Sequence, residues 1–233
     1  SRPLLEDWIQ MANTVDNLEE IIKIAMVGKY TGLSDSYLSV IKALQHSSYE
    51  VNRKLEINWI ESESLDDKQK EKNLEKYSEA WNILKEADGI LVPGGFGIRG
   101  IEGKIKAAEY ARVNKVPYLG VCLGLQIATI EFCRNVLGME NANSTEFDEN
   151  TPQPAVVFMP EISKTHMGGT MRLGSKPTPF LVEDCKIKRL YDNKSYVDER
   201  HRHRYEVNPE LIDRIESAGL IYVGKDETGQ RCE

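Results

Sequence analysis

The sequence has no excess of positive charge and no long apolar run. Its 233 residues include 30 lysines and arginines against 37 aspartates and glutamates, so the net charge is −7. An acidic chain of this kind is a poor ligand for nucleic acid or for an anionic membrane surface. No apolar segment reaches the length that spans a bilayer, and none resembles a signal peptide. We therefore expect no nucleic-acid partner, no membrane attachment and a cytoplasmic location.

Cysteine is also scarce, and its spacing shows no pairing. The four cysteines are Cys122, Cys133, Cys185 and Cys232, with no C-x-x-C motif and no Cys/His cluster of the zinc type. This pattern predicts a reduced chain without a metal site, in which one thiol could react. A G-x-G-x-x-G fingerprint after the first strand and a G-x-x-x-x-G-K-[ST] loop are missing as well. Their absence argues against nucleotide binding of those two types.

What the sequence does contain is a regular alternation of apolar runs and helical patterns. Helical stripes separate four β-like runs, which cover residues 21–28, 55–60, 90–95 and 117–121. This alternation predicts an α/β fold with a mainly parallel, doubly wound (flavodoxin-like) sheet and helices on both faces. Beyond Gly138 the pattern changes, and we expect shorter strands at 155–159, 167–174, 200–207 and 220–223.

The fourth apolar run stops at Cys122, and a helical pattern starts immediately after it. Gly120 and Gly124 flank the thiol, which gives a G-x-C-x-G motif. This is the cysteine form of the strand–turn–helix nucleophile elbow, in which glycines permit a very tight turn. A position at a helix N-terminus also favours the thiolate. The alternative is an ordinary core cysteine, since free cysteine is often buried.

Three further segments could contribute to a site at the carboxyl ends of the strands. The glycines of Pro93–Gly97 could form an oxyanion hole or a plain tight turn. In residues 200–204, arginines alternate with His201 and His203, which predicts an anion site or a solvated basic edge. Glu146 follows the elbow helix, and its sequence context alone favours a solvated loop carboxylate.

Taken together, these motifs resemble the glutaminase domain of the CTP synthase family, most closely in its eukaryotic form. Glutaminase domains of this family are class I (triad) glutamine amidotransferases. The resemblance begins near residue 20. It implies a linker helix at 1–20 that follows a synthetase domain, and an amidotransferase domain at 21–233 that is incomplete at its C-terminus. The matching segments are 27–30, 35–40, 93–97, 120–126, 168–174 and 199–208.

The resemblance implies a role for each matching residue. Cys122 would attack the side-chain amide of glutamine, with Gly94 or Gly95 and Leu123 supplying oxyanion-hole N–H groups. Glu146 would bind the α-ammonium group of glutamine, and Arg204 its α-carboxylate. The remaining residues of the implied glutamine pocket are Phe96, Gly124, Leu125 and Gln126.

The resemblance also implies the partners of the complete enzyme. Ammonia released from glutamine would pass to the synthetase domain of the same polypeptide, which aminates UTP to CTP with ATP and Mg²⁺. GTP would act as an activator, and the enzyme would be a homo-oligomer, a tetramer. The amidotransferase domain itself would need no cofactor and no metal.

One part of the family pattern is missing. The family takes its general base and orienting acid from a His-Pro-Glu motif, and none of His46, His166, His201 and His203 is followed by proline. His201 and His203 belong to the arginine-rich motif and are poor substitutes. We therefore expect a truncated chain that turns over glutamine very slowly. The alternatives are another elbow-cysteine hydrolase and a non-catalytic regulatory or assembly module.

Overall fold

A computed structural model describes residues 5–29, 34–159 and 171–233. The chain divides into two compact units. The first comprises Ser1–Gly95 with Arg99–Gly124, and the second comprises Phe96–Ile98 with Leu125–Glu233. Among the described residues, no helix is both long enough and apolar enough to cross a membrane.

The first unit is built on a four-stranded parallel sheet. Its strands are β1 (Ile21–Gly28), β2 (Lys54–Glu61), β3 (Gly89–Val92) and β4 (Tyr118–Gly120), in the spatial order β2-β1-β3-β4. The strand order reverses between β1 and β3, which is the flavodoxin-like switch point at which ligands commonly bind. The predicted parallel sheet is therefore confirmed. The third strand is shorter than predicted and ends before Pro93, which has no N–H group to donate to a ladder.

Helices connect these strands. Those that lie wholly in the first unit are α1 (Glu6–Asp16), α2 (Leu38–Glu50), α3 (Asp67–Lys72), α4 (Leu74–Glu86) and α5 (Ile101–Asn114). The side chains of Asp66 and Asn73 accept backbone N–H groups at the starts of α3 and α4 and so cap these two helices. A 3₁₀ turn, Ser34–Tyr37, leads directly into α2.

Both faces of the sheet are buried. Ala25 and Val27 of β1 pack with Leu84 of α4 and with Ala107 of α5 in one apolar cluster. Met26 lies between them in the strand, so its side chain points to the opposite face, and it is also fully buried. This two-sided burial is what a doubly wound parallel sheet requires. It explains why β1 is a continuous apolar run rather than an alternating one.

The second unit contains most of α6 (Leu123–Asn135) and two small sheets. One sheet has the order β5-β6-β9, with β5 (Ala142–Ser144), β6 (Gln153–Phe158) and β9 (Tyr205–Val207). The other pairs β7 (Arg172–Pro179) with β8 (Tyr196–His203) in antiparallel register. The helices α7 (Lys186–Leu190) and α8 (Ile212–Ser217) complete the unit.

The predictions of two strands in the second unit were wrong. The run at 200–207 is not one strand, because it breaks at Arg204 and its two parts pair in different sheets. The run at 220–223 forms no strand; the neighbouring residues Gly224 and Lys225 make only isolated bridges, and Val223 O accepts a hydrogen bond from Leu181 N at 2.7 Å. The strand predicted at 167–174 lies partly outside the described residues, and β7 begins at Arg172.

Helix α5 carries a charged residue in the core. Lys104 is only 1% exposed. Burial is the main reason that the pKa of Lys104 falls from 10.5 to about 8, with the positive charge of Lys29 adding to the effect and Glu61 opposing it. The folded chain therefore pays a desolvation cost to hold a charge at neutral pH.

We predict that Lys104→Met stabilises the protein at pH 7, by up to about 3 kcal/mol. In the original protein, stability should rise as the pH increases from about 8 to 10.5, because the unfolded chain still binds the proton that folded Lys104 has released. Urea unfolding across this pH range measures both effects. Lys106→Met on the same helix is the control, because the Lys106 side chain is 39% exposed. A pH slope unchanged by Lys104→Met would contradict the prediction.

Candidate active site

Cys122 occupies the junction between β4 and α6 with an unusual backbone conformation. Its φ is 53°, in the left-handed region that non-glycine residues rarely adopt. Strand β4 ends at Gly120, and α6 begins at Leu123, directly after the cysteine. A strained residue in a strand-to-helix turn is the geometry of a nucleophile elbow. The thiol is half-buried, and so partly accessible to solvent.

The elbow is fixed by close contact with β3. A Cβ atom at Gly124 would lie 2.2 Å from the carbonyl oxygen of Val92, so only glycine fits at this position. The same carbonyl accepts a hydrogen bond from Val121 N at 3.0 Å. The Tyr118 hydroxyl donates to Gly124 O at 2.9 Å. These contacts hold the first turn of α6 against the end of β3.

The two candidate oxyanion-hole glycines lie beside the elbow. A Cβ atom at Gly94 would be 3.5 Å from Cys122 Cβ, and one at Gly95 would be 3.5 Å from Leu123 Cδ2. Within the first unit, the structure thus brings together the predicted nucleophile and the residues expected to supply N–H donors. Backbone donors near a nucleophile can stabilise an oxyanion without any side chain.

The second unit brings together other predicted residues around Glu146. Glu146 Oε1 accepts a hydrogen bond from Gly97 N at 3.1 Å, and Glu146 N donates to Ser144 Oγ at 3.1 Å. The adjacent Phe96 has its ring 5.7 Å from the guanidinium carbon of Arg202, a cation–π distance. The Glu146 carboxylate is therefore fixed by a hydrogen bond and is not the freely solvated carboxylate that its sequence context favours.

Gln126 presents an available acceptor. The residue is 6% exposed, and its Nε2 donates to the carbonyl oxygen of Tyr205 at 2.9 Å. In the part of the chain that the structure describes, Gln126 Oε1 has no hydrogen-bond partner. A buried acceptor without a partner is costly, so this oxygen is suited to receive a donor from a ligand. Leu125, the preceding residue, is half-buried.

Arg204 lies at the break between β8 and β9, and its carbonyl oxygen accepts Met159 N at 3.0 Å. Tyr205 follows it. Burial raises the pKa of the Tyr205 phenol, Glu146 and Glu149 raise it further, and Arg204 opposes them. Arg204 and Glu146 are therefore both within electrostatic range of the Tyr205 hydroxyl. Tyr205 is not among the site residues predicted from the sequence; its position beside Arg204 in the arginine-rich motif was the available signal.

The histidines of β8 are engaged in structural contacts. The predicted alternation holds for residues 200–203, since Arg200 and Arg202 are exposed while His201 and His203 are half-buried, and it stops at the half-buried Arg204. His201 Nε2 lies 2.6 Å from the Glu233 carboxylate, and His201 Nδ1 lies 3.0 Å from Glu199 O. His203 Nδ1 lies 3.2 Å from Tyr205 O, and burial lowers the pKa of this imidazole.

His46 is exposed on α2, and His166 lies outside the described residues, as do residues 168–170 of the glycine-rich motif. Among residues 5–29, 34–159 and 171–233, no group of three His, Cys, Asp or Glu side chains is arranged to hold a metal ion.

A family model described as class-I glutamine amidotransferase matches residues 32–233. The chain belongs to this family. The family predicted from the sequence motifs is thereby confirmed.

Sequence relatives with high identity to this amidotransferase are CTP synthases. CTP synthase 1 of Saccharomyces cerevisiae is 56% identical over 234 residues, which cover 99% of the chain and 40% of the yeast protein. CTP synthase 2 of Xenopus laevis is 54% identical over 226 residues, which cover 97% of the chain and 39% of the frog protein. The amidotransferase chain thus spans about 40% of the length of these curated relatives.

A solved structure shares the fold. The glutaminase domain of Trypanosoma brucei CTPS with bound acivicin matches with a TM-score of 0.81 and 37% sequence identity. The match covers 91% of this amidotransferase chain and 79% of the trypanosome chain. The predicted fold class is confirmed by this similarity.

We predict that Gly124→Ala destabilises the amidotransferase by roughly 1–3 kcal/mol, because the added Cβ collides with the Val92 carbonyl and must displace the start of α6. Urea unfolding measures the change. Gly95→Ala is the matched control for stability, since its Cβ would make an ordinary contact at 3.5 Å. Equal stability of the two variants would contradict the close packing described here.

Proposed function

We propose that this chain is the glutaminase domain of a CTP synthase, and that it hydrolyses L-glutamine to glutamate and ammonia. The observation that carries the proposal is the left-handed Cys122 between β4 and α6, locked by the approach of Gly124 to Val92. An elbow of this kind presents a nucleophile at the edge of a sheet. The high identity to CTP synthases supports the choice of glutamine as the acyl donor.

The proposed reaction has two stages. Cys122 Sγ attacks the side-chain amide carbon of glutamine, and the N–H groups of Gly94 or Gly95 and of Leu123 stabilise the resulting oxyanion. The C–N bond then breaks, the nitrogen leaves as ammonia after gaining a proton, and a glutamyl thioester remains on Cys122. Water hydrolyses the thioester, which releases glutamate and restores the thiol.

The ends of glutamine would be recognised by residues of opposite charge. Glu146 would bind the α-ammonium group, and Arg204 would bind the α-carboxylate through its guanidinium fork. Gln126 Oε1, which has no protein partner among the described residues, would accept a hydrogen bond from the substrate. Phe96, Gly124 and Leu125 would line the remaining surface of the pocket.

The wider role follows from the relatives and is also a proposal. Residues 1–20 would be a linker after a synthetase domain, and 21–233 would form the amidotransferase domain. This is supported by α1, whose residues include none that is buried. Ammonia would be used in the synthetase domain to aminate UTP with ATP and Mg²⁺, under activation by GTP, in a cytoplasmic tetramer. The glutaminase domain would need no cofactor.

We predict that this chain hydrolyses glutamine very slowly by itself, because none of its histidines lies in a His-Pro-Glu motif and His201 and His203 are held by Glu233 and by the Tyr205 carbonyl. A glutaminase assay should compare it with a version continued through the His-Pro-Glu segment of a relative. We expect the continued version to be faster by about two orders of magnitude or more, the contribution of a general base. Similar rates for the two proteins would contradict this prediction.

We predict that 6-diazo-5-oxo-norleucine, a glutamine-like electrophile, labels Cys122 alone, slowly but saturably. Glu146→Gln should raise the concentration for half-maximal labelling about tenfold, because it removes a charge-assisted hydrogen bond to the α-ammonium group. Peptide mass spectrometry and labelling kinetics measure these effects.

Glu149→Gln is the matched control for the labelling experiment, since Glu149 is an exposed carboxylate in the same loop and should leave labelling unchanged. Labelling that is not saturable would favour another elbow-cysteine hydrolase. An absence of labelling would favour a regulatory module.

A further inference from the structure

Glu146 is held in place by two hydrogen bonds with different consequences. Ser144 Oγ accepts from Glu146 N and so positions the backbone at that point. Gly97 N donates to Oε1 of the carboxylate itself, at 3.1 Å. The second contact fixes the rotation of the carboxylate, because an N–H donor prefers to lie in the carboxylate plane. It also leaves Oε2 and the second lone pair of Oε1 for another donor.

The backbone of Gly97 is specialised for this contact. Its φ is +76°, in the left-handed region. A Cβ atom at Gly97 would meet no other atom within 4 Å, so space is not what requires glycine here. The requirement is conformational, because most residues with a side chain avoid a positive φ and would turn this N–H away from its acceptor.

We propose that Gly97 is a positioning residue for amino-acid recognition: its left-handed backbone aims an N–H group at Glu146 so that the carboxylate faces the α-ammonium group of the substrate. The inference rests on the proposed glutaminase function. It assigns Gly97 no contact with the reacting atoms. Its effect should therefore appear in the binding of ligands that carry an α-ammonium group, and not in the binding of ligands that lack one.

The experiment compares L-glutamine with glutaramate, which keeps the carboxylate and the side-chain amide but has no α-amino group. Dissociation constants are measured by NMR titration in the Cys122→Ala protein, so that no turnover occurs. We expect this parent protein to bind glutamine at least about tenfold more tightly than glutaramate. Gly97→Ala should weaken glutamine binding by about tenfold and change glutaramate binding by less than about twofold.

Two matched variants separate positioning from general strain. Gly97→Asn should keep most of the preference for glutamine, because asparagine tolerates a positive φ and retains the N–H group. Gly138→Ala should keep the full preference, although Gly138 has a similar φ of +69° and equally open space around its Cβ position. The inference would be overturned if Gly97→Ala weakened the binding of glutamine and glutaramate by the same factor. It would also be overturned if Gly138→Ala reduced the preference for glutamine as much as Gly97→Ala does.

A spectroscopic measurement covers the case in which Gly97→Ala does not fold. In ¹⁵N spectra, the Gly97 amide proton should shift upfield when Glu146→Gln removes the charged acceptor. An unchanged Gly97 resonance would overturn the inference while leaving the proposed function intact. Failure of the parent protein to bind glutamine would overturn the proposed function, and the inference with it.

Discussion

The contact between Gly124 and the carbonyl oxygen of Val92 is the constraint on which the geometry of the Cys122 elbow depends. It allows the first turn of α6 to lie directly against the end of β3, which no side chain at this position would permit. The chain must then turn within one residue, and Cys122 takes the left-handed conformation that results. Strain of this kind persists only where the surrounding packing holds it. Here the surrounding packing is a parallel sheet buried on both faces.

In the second unit, the side chains proposed to bind glutamine are oriented mostly by the main chain. The carbonyl of Tyr205 fixes the Gln126 amide, the N–H of Gly97 fixes the Glu146 carboxylate, and the break between β8 and β9 places Arg204. Main-chain groups move little once their strands and turns have formed. They give a charged or polar side chain a defined direction at a small entropic cost.

Much of the first unit could be predicted from the sequence, because buried parallel strands are continuous apolar runs and the elbow glycines bracket Cys122. The second unit was predicted less well. Residues 200–207 have the alternation of a single strand, but alternation reports only which side chains share a face and not which partner strand each half selects. Residues 220–223 form an apolar run that joins no ladder; Tyr222 is buried, with its hydroxyl 2.8 Å from Thr129 Oγ1, whereas Ile221 is 50% exposed. The hydrogen bond that fixes the Glu146 carboxylate also could not be predicted, since its donor Gly97 lies 49 residues away in the chain.

The carbonyl oxygen of Tyr205 serves two side chains, Gln126 and His203. Neither hydrogen bond uses the phenol ring. Substitution at position 205 can therefore change the electrostatic surroundings of Glu146 and Arg204 without releasing the Gln126 amide. Position 205 can therefore vary in sequence while the scaffold that orients the Gln126 amide is preserved.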